Sequence, residues 1–221
     1  MKREINVFEY AQEILTAVNQ GVLLTTKADG KVNSMSISWG TLGVEWNKPI
    51  FTTFVRQNRF TKELLDKNPE FTINIPFEKY YDKKIIAFCG TKSGRDIDKI
   101  KELNLTTVES EKVAPPAFKE LPLTLECKVI YKQMQDIEAI SNENKKLHYP
   151  QNVDSSFHGS NRDVHTAYYG EIVSAYILED WCQIFCMAFL LFEKQIQLEF
   201  LQIHSFEEVH LYYTLYRVLQ W

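Results

Sequence analysis

The sequence lacks the features that define several large classes of protein. Its net charge of −4 leaves no basic excess for nucleic acid or an anionic membrane. The first ten residues contain charges and no uninterrupted apolar run, so we do not expect a secretory signal. No metal spacing is present among the cysteines, which are Cys89, Cys127, Cys182 and Cys186. We therefore expect a cytoplasmic protein with reduced thiols and no metal site.

Two common ligand fingerprints are missing as well. A nucleotide-triphosphate loop needs Gly-Lys-Ser/Thr four residues after an earlier glycine, but Thr91 follows Gly90, and Ile85 occupies the earlier position. The dinucleotide fingerprint fails because Gly90 and Gly94 are four residues apart without a Gly-x-Gly pair. No Ser-His-Asp triad, Cys-His pair or paired carboxylates are evident. Side-chain motifs alone therefore assign no reaction.

A polar stretch in the middle of the chain is the most informative feature, Ala87 to Lys99. Its two glycines, Gly90 and Gly94, predict positive φ angles and a backbone that approaches a ligand closely. Two hydroxyls and two cations accompany them: Thr91, Ser93, Lys92 and Arg95. Such a segment is typical of a phosphate-binding loop. A glycine-bounded surface loop that starts a helix is the alternative.

The hydrophobic pattern predicts a mixed α and β domain with a mostly antiparallel barrel or sheet. Six strands are expected, over residues 22–26, 32–39, 50–55, 71–75, 123–133 and 164–178. Helices are expected over 8–18, before Asn68-Pro69, over 82–88 and over 96–103. Residues 141–163 are interpreted as a long surface loop. Within the strand 32–39, alternation places three serines on one face, which suggests contact with a polar ligand.

The composition changes after Asp180. Residues 181–221 contain no glycine or proline and are rich in aromatic and aliphatic side chains. The uncharged run Trp181 to Phe192 has twelve residues, too few for a helix that spans a bilayer. We interpret 1–180 as the functional domain and 181–221 as a tail. This tail has three interpretations: a hydrophobic helix packed on the domain or across a dimer, a non-native translation product, or a segment that associates with a membrane.

Four segments, taken together, resemble a known family: Asn33 to Gly40, Phe54 to Thr61, Phe88 to Lys99, and Tyr168 to Ile172 preceded by Asp163 and His165. In order and spacing they are similar to the flavin reductase-like family of FMN-binding split barrels, which includes flavoredoxin. The resemblance runs from about Gly21 to Glu179. Its most distinctive part is Phe-Cys-Gly-Thr-Lys-Ser-Gly-Arg-Asp.

The resemblance implies a six-stranded antiparallel split β-barrel with flanking helices, a homodimer, and FMN near the subunit interface. The isoalloxazine and ribityl contacts it implies are Ser36, Ile37, Ser38 and Trp39 on one side, and Cys89, Gly90, Thr91, Lys92 and Ser93 on the other. The implied phosphate contacts are Arg56, Asn58 and Thr61. Asp163, His165 and Tyr168 would approach from the last strand, in the same chain or in the partner. One departure is Gln57-Asn58, where the family carries Pro-Ser, and this weakens the role of Asn58.

Several residues of these segments also have a purely structural interpretation. Arg59 and Arg95 fit solvated ion pairs, and Trp39 fits the core. Cys89 fits a small residue that allows close backbone approach, and His165 fits a hydrogen-bonded structural histidine. The chain's residues alone do not choose between these readings.

The resemblance also implies the activity. We expect an FMN-dependent oxidoreductase, a flavoprotein that takes hydride from NADH or NADPH and passes electrons to free flavin or another acceptor. The alternative is an FMN electron carrier, similar to flavoredoxin, that has no nicotinamide site and exchanges electrons with protein partners. An oxidase of the pyridoxamine phosphate type is less favoured because its signature is absent.

Overall fold

The computed structural model of the chain describes residues 1–77, 83–154 and 163–179. The strands and helices of this part form one compact unit, Lys2–Leu178. No helix in it is long and apolar enough to cross a membrane. The tail 181–221 and part of the predicted loop 141–163 lie outside the described residues, so the expectations about the tail and the domain boundary remain predictions.

The described part alternates strands with short helices. Ten strands are present: β1 (Lys2–Glu4), β2 (Val22–Ala28), β3 (Lys31–Ile37), β4 (Gly40–Glu45), β5 (Lys48–Arg56), β6 (Glu70–Ile75), β7 (Thr107–Val108), β8 (Ala117–Phe118), β9 (Leu123–Met134) and β10 (His165–Leu178). The α-helices are α1 (Ala11–Gln20), α2 (Phe60–Lys67), α3 (Lys83–Thr91), α4 (Lys99–Glu102) and α5 (Asn142–His148), and a 3₁₀ turn covers Ile137–Ala139.

Eight strands form one antiparallel sheet in the order β3-β2-β6-β9-β10-β5-β4, with β1 also paired to β10. The strands at the two ends of this order, β3 and β4, are joined by only Ser38 and Trp39. Three peptide units span at most about 11 Å, so the sheet must curl until its two ends are neighbours. This curled antiparallel sheet with flanking helices confirms the predicted fold class.

The core follows from the alternation of apolar residues along the strands. Their inward faces pack against α1, whose Ile14 and Val18 are buried. A second, smaller apolar cluster lies under α3, where Ile85 and Cys89 meet Leu23 of β2. The two clusters hold α1 and α3 on the sheet and thereby position the end of α3 beside β3.

All six predicted strands are present, and the differences concern the smaller elements. The strand β4 was not predicted because it is mostly exposed, and its hydrogen bonds to β5 hold it in place. The predicted helix 96–103 is shorter, since Asp98 caps α4 by accepting from the backbone N–H groups of Ile100 and Lys101. The predicted loop 141–163 contains α5, which starts at the Ser141 cap.

Candidate functional site

Two adjoining cavities lie where the two ends of the sheet meet. The larger has a volume of about 410 Å³ and the smaller about 220 Å³. Both are lined by Met35, Ser36, Arg56 and Arg59. Their walls come from β3, the β3–β4 connection, the end of β5, the start of α2 and the end of α3. Segments far apart in the sequence therefore converge on one site.

The fold brings thirteen of the fifteen predicted site residues to these cavities. The larger cavity takes Ser36, Arg56, Asn58, Thr61, Cys89, Gly90, Thr91, Lys92 and Ser93. The smaller takes Ser36, Ile37, Ser38, Trp39, Arg56 and His165. Asp163 lines neither cavity, but its Oδ1 is 3.6 Å from Nη2 of Arg56. Tyr168 is also outside both, since its buried side chain donates a hydrogen bond to Asp66 at 2.8 Å.

Arg56 is the central charge of the site. It ends β5, is only 7% exposed, and lines both cavities. Its Nε and Nη2 groups are buried without a hydrogen-bond partner among the described residues, and the 3.6 Å contact to Asp163 is too long for a hydrogen bond. A buried guanidinium with unmet donors is costly unless something accepts from it. An oxyanion that reaches these two groups would accept a hydrogen bond from each of them.

The start of α2 adds further donors. Asn58, Arg59, Phe60 and Thr61 line the larger cavity, and the side chain of Arg59, the N-cap residue of the helix, makes no capping hydrogen bond to a described residue. Its first backbone N–H groups lack intrahelical partners, and the helix dipole favours an anion there. Thr61 is buried and its hydroxyl accepts from the Asn33 amide at 2.8 Å, which leaves its own proton available. The helix start and Arg56 thus face the same space.

Lys99 is a site residue that the sequence did not single out. Its side chain is 5% exposed, lines the larger cavity, and donates to the carbonyls of Ser34 at 2.7 Å and Cys89 at 2.9 Å. No carboxylate of the described residues lies within ion-pair distance, and burial lowers the pKa of its ammonium group. A lysine at the first position of a short charged helix is usually solvated, so no pattern marks its burial. The one signal in the sequence was that Lys99 is the last residue of the stretch Ala87 to Lys99, which was predicted to bind phosphate.

Gly90 and Gly94 line the larger cavity, but they do not adopt the backbone conformation that the sequence predicted. Neither has a positive φ, and Gly90 lies within α3. A Cβ on Gly90 would collide with the Ser36 hydroxyl, and a Cβ on Gly94 would collide with the amide of Asn33. The glycines therefore let the end of α3 approach β3, and the expectation of positive φ angles was wrong. Asn33, buried between this segment and Thr61, is a second residue that the sequence analysis missed.

The larger cavity carries more positive charge than the protein neutralises. Arg95 is paired with Glu63 and also donates to the Asn58 carbonyl at 3.2 Å. Arg59 and Lys92 form no ion pair with a described residue, and no carboxylate is among the described residues that line either cavity. Cys89 adds no charge, because burial raises the pKa of its thiol to about 11. The charge balance of the described lining therefore favours an anion.

The smaller cavity has an aromatic wall. Trp39 lies between two histidines, with ring centres 5.3 Å from His148 and 4.9 Å from His165. His165 is 6% exposed, and burial together with Arg56 lowers its pKa to about 4. It is therefore a neutral imidazole at neutral pH. Its Nδ1 is 3.0 Å from the hydroxyl of Tyr149, which is buried just after α5.

Comparison with known families assigns the chain to a class. The family model described as "Flavin reductase like domain" matches residues 16–183. The matched range contains every strand of the curled sheet except β1, and every described residue that lines the two cavities. The chain belongs to this family, so the predicted family membership is confirmed.

Individual relatives are distant. An uncharacterized protein of Archaeoglobus fulgidus is 29% identical over 126 residues, which are 57% of this chain and 66% of that relative, just under two thirds of its length. The structure of flavoredoxin from Methanosarcina acetivorans matches with a TM-score of 0.51 and 25% identity, over 73% of this chain and 69% of that one. Nitrilotriacetate monooxygenase component B from Bacillus cereus shares the fold, with a TM-score of 0.53 and 17% identity, over 80% and 82%.

Proposed function

We propose that this protein binds FMN and uses it to pass electrons from NADH or NADPH to free flavin or another acceptor. The observation that carries this proposal is Arg56, which lies in a wall common to both cavities. Its buried Nε and Nη2 groups lack acceptors in the part of the chain that the structure describes. A phosphate monoester has a charge of about −1.5 to −2 at neutral pH and three acceptor oxygens. It would satisfy these donors and the uncapped start of α2.

The residues present fit a flavin with a phosphate. Arg56, Thr61 and the start of α2 would hold the phosphate, with Asn58 and Lys99 close to it in the same cavity. Serine hydroxyls, backbone groups and the end of α3 would hold the ribityl chain and the ring, through Ser36 to Trp39 and Cys89 to Ser93. Riboflavin lacks the phosphate and would leave the cationic part of the site unmatched. FMN is therefore the proposed cofactor.

Bound FMN supplies hydride and electron transfer at its ring, which explains why no catalytic triad is needed. The chain's own groups bind and orient the cofactor, and the cations of the larger cavity favour a ring that gains negative charge on reduction. Cys89 stays a protonated thiol because its pKa is raised, so it is not proposed as a redox group. His165 stays neutral and can act as a hydrogen-bond partner.

A carrier without a nicotinamide site is the second proposed function. It is supported by the likeness to a flavoredoxin at 25% identity. Both functions need the same FMN site, so the site does not choose between them. The choice depends on whether a nicotinamide reaches the flavin.

Stopped-flow absorbance distinguishes the two functions. The purified protein, loaded with FMN, is expected to be yellow and to bleach when it is mixed with NADH or NADPH. Bleaching at a rate that supports turnover favours the reductase. Bleaching only by a reduced protein donor rejects the reductase in favour of the carrier. Protein that stays colourless after incubation with FMN contradicts both functions.

We also propose that the protein works as a homodimer in the cytoplasm. Three aromatic side chains lie together, and two of them, Trp46 and Tyr131, are exposed, which suits a subunit contact. The ring centres of Trp46 and Tyr131 are 6.3 Å apart, and those of Tyr131 and Tyr169 are 5.1 Å apart. Trp46 is 57% exposed, which is unusual for so large an apolar side chain. Light scattering during size-exclusion chromatography tests this. The wild type should be a dimer, and the double variant Trp46→Lys, Tyr131→Lys a folded monomer; a wild-type monomer contradicts the proposal.

A further inference from the structure

The residue Tyr149 stands out because it is buried beside the site and no pattern in the sequence assigns it a role. It follows the last residue of α5 and is 4% exposed. Its hydroxyl lies 2.9 Å from Oε1 of Gln135 and 3.0 Å from Nδ1 of His165. A tyrosine hydroxyl has one proton to donate and can also accept. The direction of the two hydrogen bonds can therefore be worked out.

Gln135 determines where the proton of Tyr149 goes. The Oε1 atom of Gln135 also lies 3.3 Å from the backbone N–H of His165, and a backbone N–H can only donate. The atom at this position must therefore be the amide oxygen, which accepts both hydrogen bonds. Tyr149 gives its single proton to that oxygen. Its lone pair then accepts from His165, which requires a proton on Nδ1.

The other nitrogen of His165 is left free. Nε2 has no hydrogen-bond partner among the described residues, and the ring lines the smaller cavity next to Trp39. The charged groups that act on this ring are Arg56, Arg59 and Asp163, and the two guanidinium groups outweigh the one carboxylate. Protonation of Nε2 would add a third cation beside two arginines. The neutral imidazole therefore keeps a lone pair on Nε2.

We propose that Tyr149, held by Gln135, is a positioning residue that keeps the proton of His165 on Nδ1, so that Nε2 offers a hydrogen-bond acceptor to a ligand in the smaller cavity. Such a ligand carries an N–H or O–H donor on a planar ring, which suits the flat wall formed by Trp39. The identity of this ligand as a flavin rests on the proposed function. The position of the proton does not.

The acceptor at Nε2 of His165 matters because the charged residues beside it in the lining of the smaller cavity, Arg56 and Arg59, are hydrogen-bond donors. Arg56 and Arg59 have only donors to offer, and a ligand whose donor met them would leave unpaired N–H groups on both sides. If the proton moved to Nε2, His165 would become one more donor. Tyr149 prevents this because its hydroxyl oxygen accepts a hydrogen bond from the proton on Nδ1. Tyr149 itself lines neither cavity.

Nuclear magnetic resonance of histidine-labelled protein tests the proposal without any flavin. Two-bond ¹⁵N–¹H spectra distinguish the two neutral tautomers, and the variant His165→Gln identifies the signal of His165 among the five histidines. The wild type is expected to show the tautomer protonated on Nδ1 at pH 7. A wild-type signal from the tautomer protonated on Nε2, or from an imidazolium, overturns the proposal. This measurement needs no variant at position 149.

The variant Tyr149→Phe removes the hydroxyl and keeps the ring. It is expected to give a mixture of tautomers with at least a threefold rise in the Nε2–H form. Tyr168→Phe is the matched control, since it removes the hydroxyl of a different buried tyrosine. Tyr168 lies on β10 and donates to Asp66. The control should leave the spectrum of His165 unchanged. An unchanged spectrum in a folded Tyr149→Phe, or the same change in the control, overturns the positioning role.

A titration with FMN then connects the tautomer to the ligand. Binding should move the Nε2 signal in the direction expected for an accepted hydrogen bond, and Tyr149→Phe should weaken FMN binding about three- to tenfold. In a His165→Gln background, where the side-chain carbonyl is itself an acceptor, adding Tyr149→Phe should change affinity less than twofold. FMN that binds without moving the Nε2 signal contradicts the acceptor role. No FMN binding by a wild type with the expected tautomer contradicts the proposed function and leaves the positioning role supported.

Discussion

The two ends of helix α2 handle charge in opposite ways. Near its C-terminal end, Asp66 accepts from Lys62 at 2.6 Å, Lys132 at 2.9 Å and Tyr168 at 2.8 Å. Burial opposes ionisation there, but these three hydrogen bonds lower the pKa of Asp66 to about 2. The carboxylate is fully matched by protein groups.

At the N-terminal end of α2 the charges are matched less completely. Arg56 contacts Asp163 at 3.6 Å, which is too long for a hydrogen bond, and its Nε and Nη2 groups have no acceptor among the described residues. Within the same part of the chain, Lys99 donates only to backbone carbonyls. Buried donors that lack acceptors destabilise a folded protein. The comparison therefore indicates that the first cluster stabilises the fold, whereas the second leaves donors for the anion that we propose. The predictions below test this division of roles.

Replacing Arg56 with alanine has the largest expected effect. Two charge-assisted hydrogen bonds to the phosphate would be lost, and at about 1.5 kcal/mol each the affinity for FMN should fall about 100-fold. Riboflavin affinity should change much less. Calorimetric titration with both ligands measures this. Arg95→Ala is the control, because Glu63 already pairs with Arg95, and its effect should be several times smaller. Equal losses for FMN and riboflavin would show that Arg56 does not hold a phosphate.

Lys99→Met is expected to lower the affinity for FMN about tenfold. The substitution keeps an unbranched side chain in the cavity wall and removes one buried positive charge. Lys67→Met is a matched control, since it removes the same charge from an exposed lysine that pairs with Asp29. Fluorescence quenching of FMN gives both affinities. An equal change in the two variants would mean that only net charge matters.

Asp66→Asn should have the converse effect at the other end of α2. The free energy of unfolding is expected to fall, because Lys62, Lys132 and Tyr168 lose a charged acceptor. The decrease should be only about 1 kcal/mol, because the cluster is partly exposed and solvent screens it. FMN affinity should change less than twofold. Urea unfolding and a flavin titration on the same sample test both statements. A loss of FMN binding larger than the loss of stability would break the distinction between the two ends.

The pH dependence of His165 gives a smaller effect with a definite sign. Burial and Arg56 lower its pKa to about 4 in the folded protein, against about 6.5 when unfolded. The unfolded chain therefore takes up the proton first, and stability should decrease as the pH falls from about 6.5 to about 4. A histidine titration of the flavin-free protein measures this pKa, and a value at or above about 6.5 contradicts the account.

The sequence predicted the strands well because they are long runs rich in apolar, aromatic and β-branched residues, as in β9 and β10. It also predicted many of the residues that line the two cavities, because the cations, hydroxyls and glycines are concentrated in short segments that resemble the family. It missed Lys99 and Asn33, since burial of a polar side chain depends on which segments meet in space. The same reason explains why Tyr168 does not line the cavities. Its hydroxyl donates to Asp66 of α2, which is 102 residues away in the sequence.

The role of the glycines could not be predicted for a related reason. Gly90 and Gly94 were expected to adopt positive φ angles, a local property, but their small size is needed for contacts with Ser36 and Asn33 on β3. The tautomer of His165 is likewise decided by Gln135 and Tyr149, which are 30 and 16 residues away. Such properties belong to the fold rather than to a local pattern.

The most direct test of the central claim is to titrate the wild-type protein with FMN and riboflavin side by side in a calorimeter. The unmatched cations at the start of α2 predict that FMN binds at least about 100-fold more tightly, because only FMN carries a phosphate. Added inorganic phosphate should weaken FMN binding by competition. Equal affinities for the two flavins, in folded protein, would contradict the account.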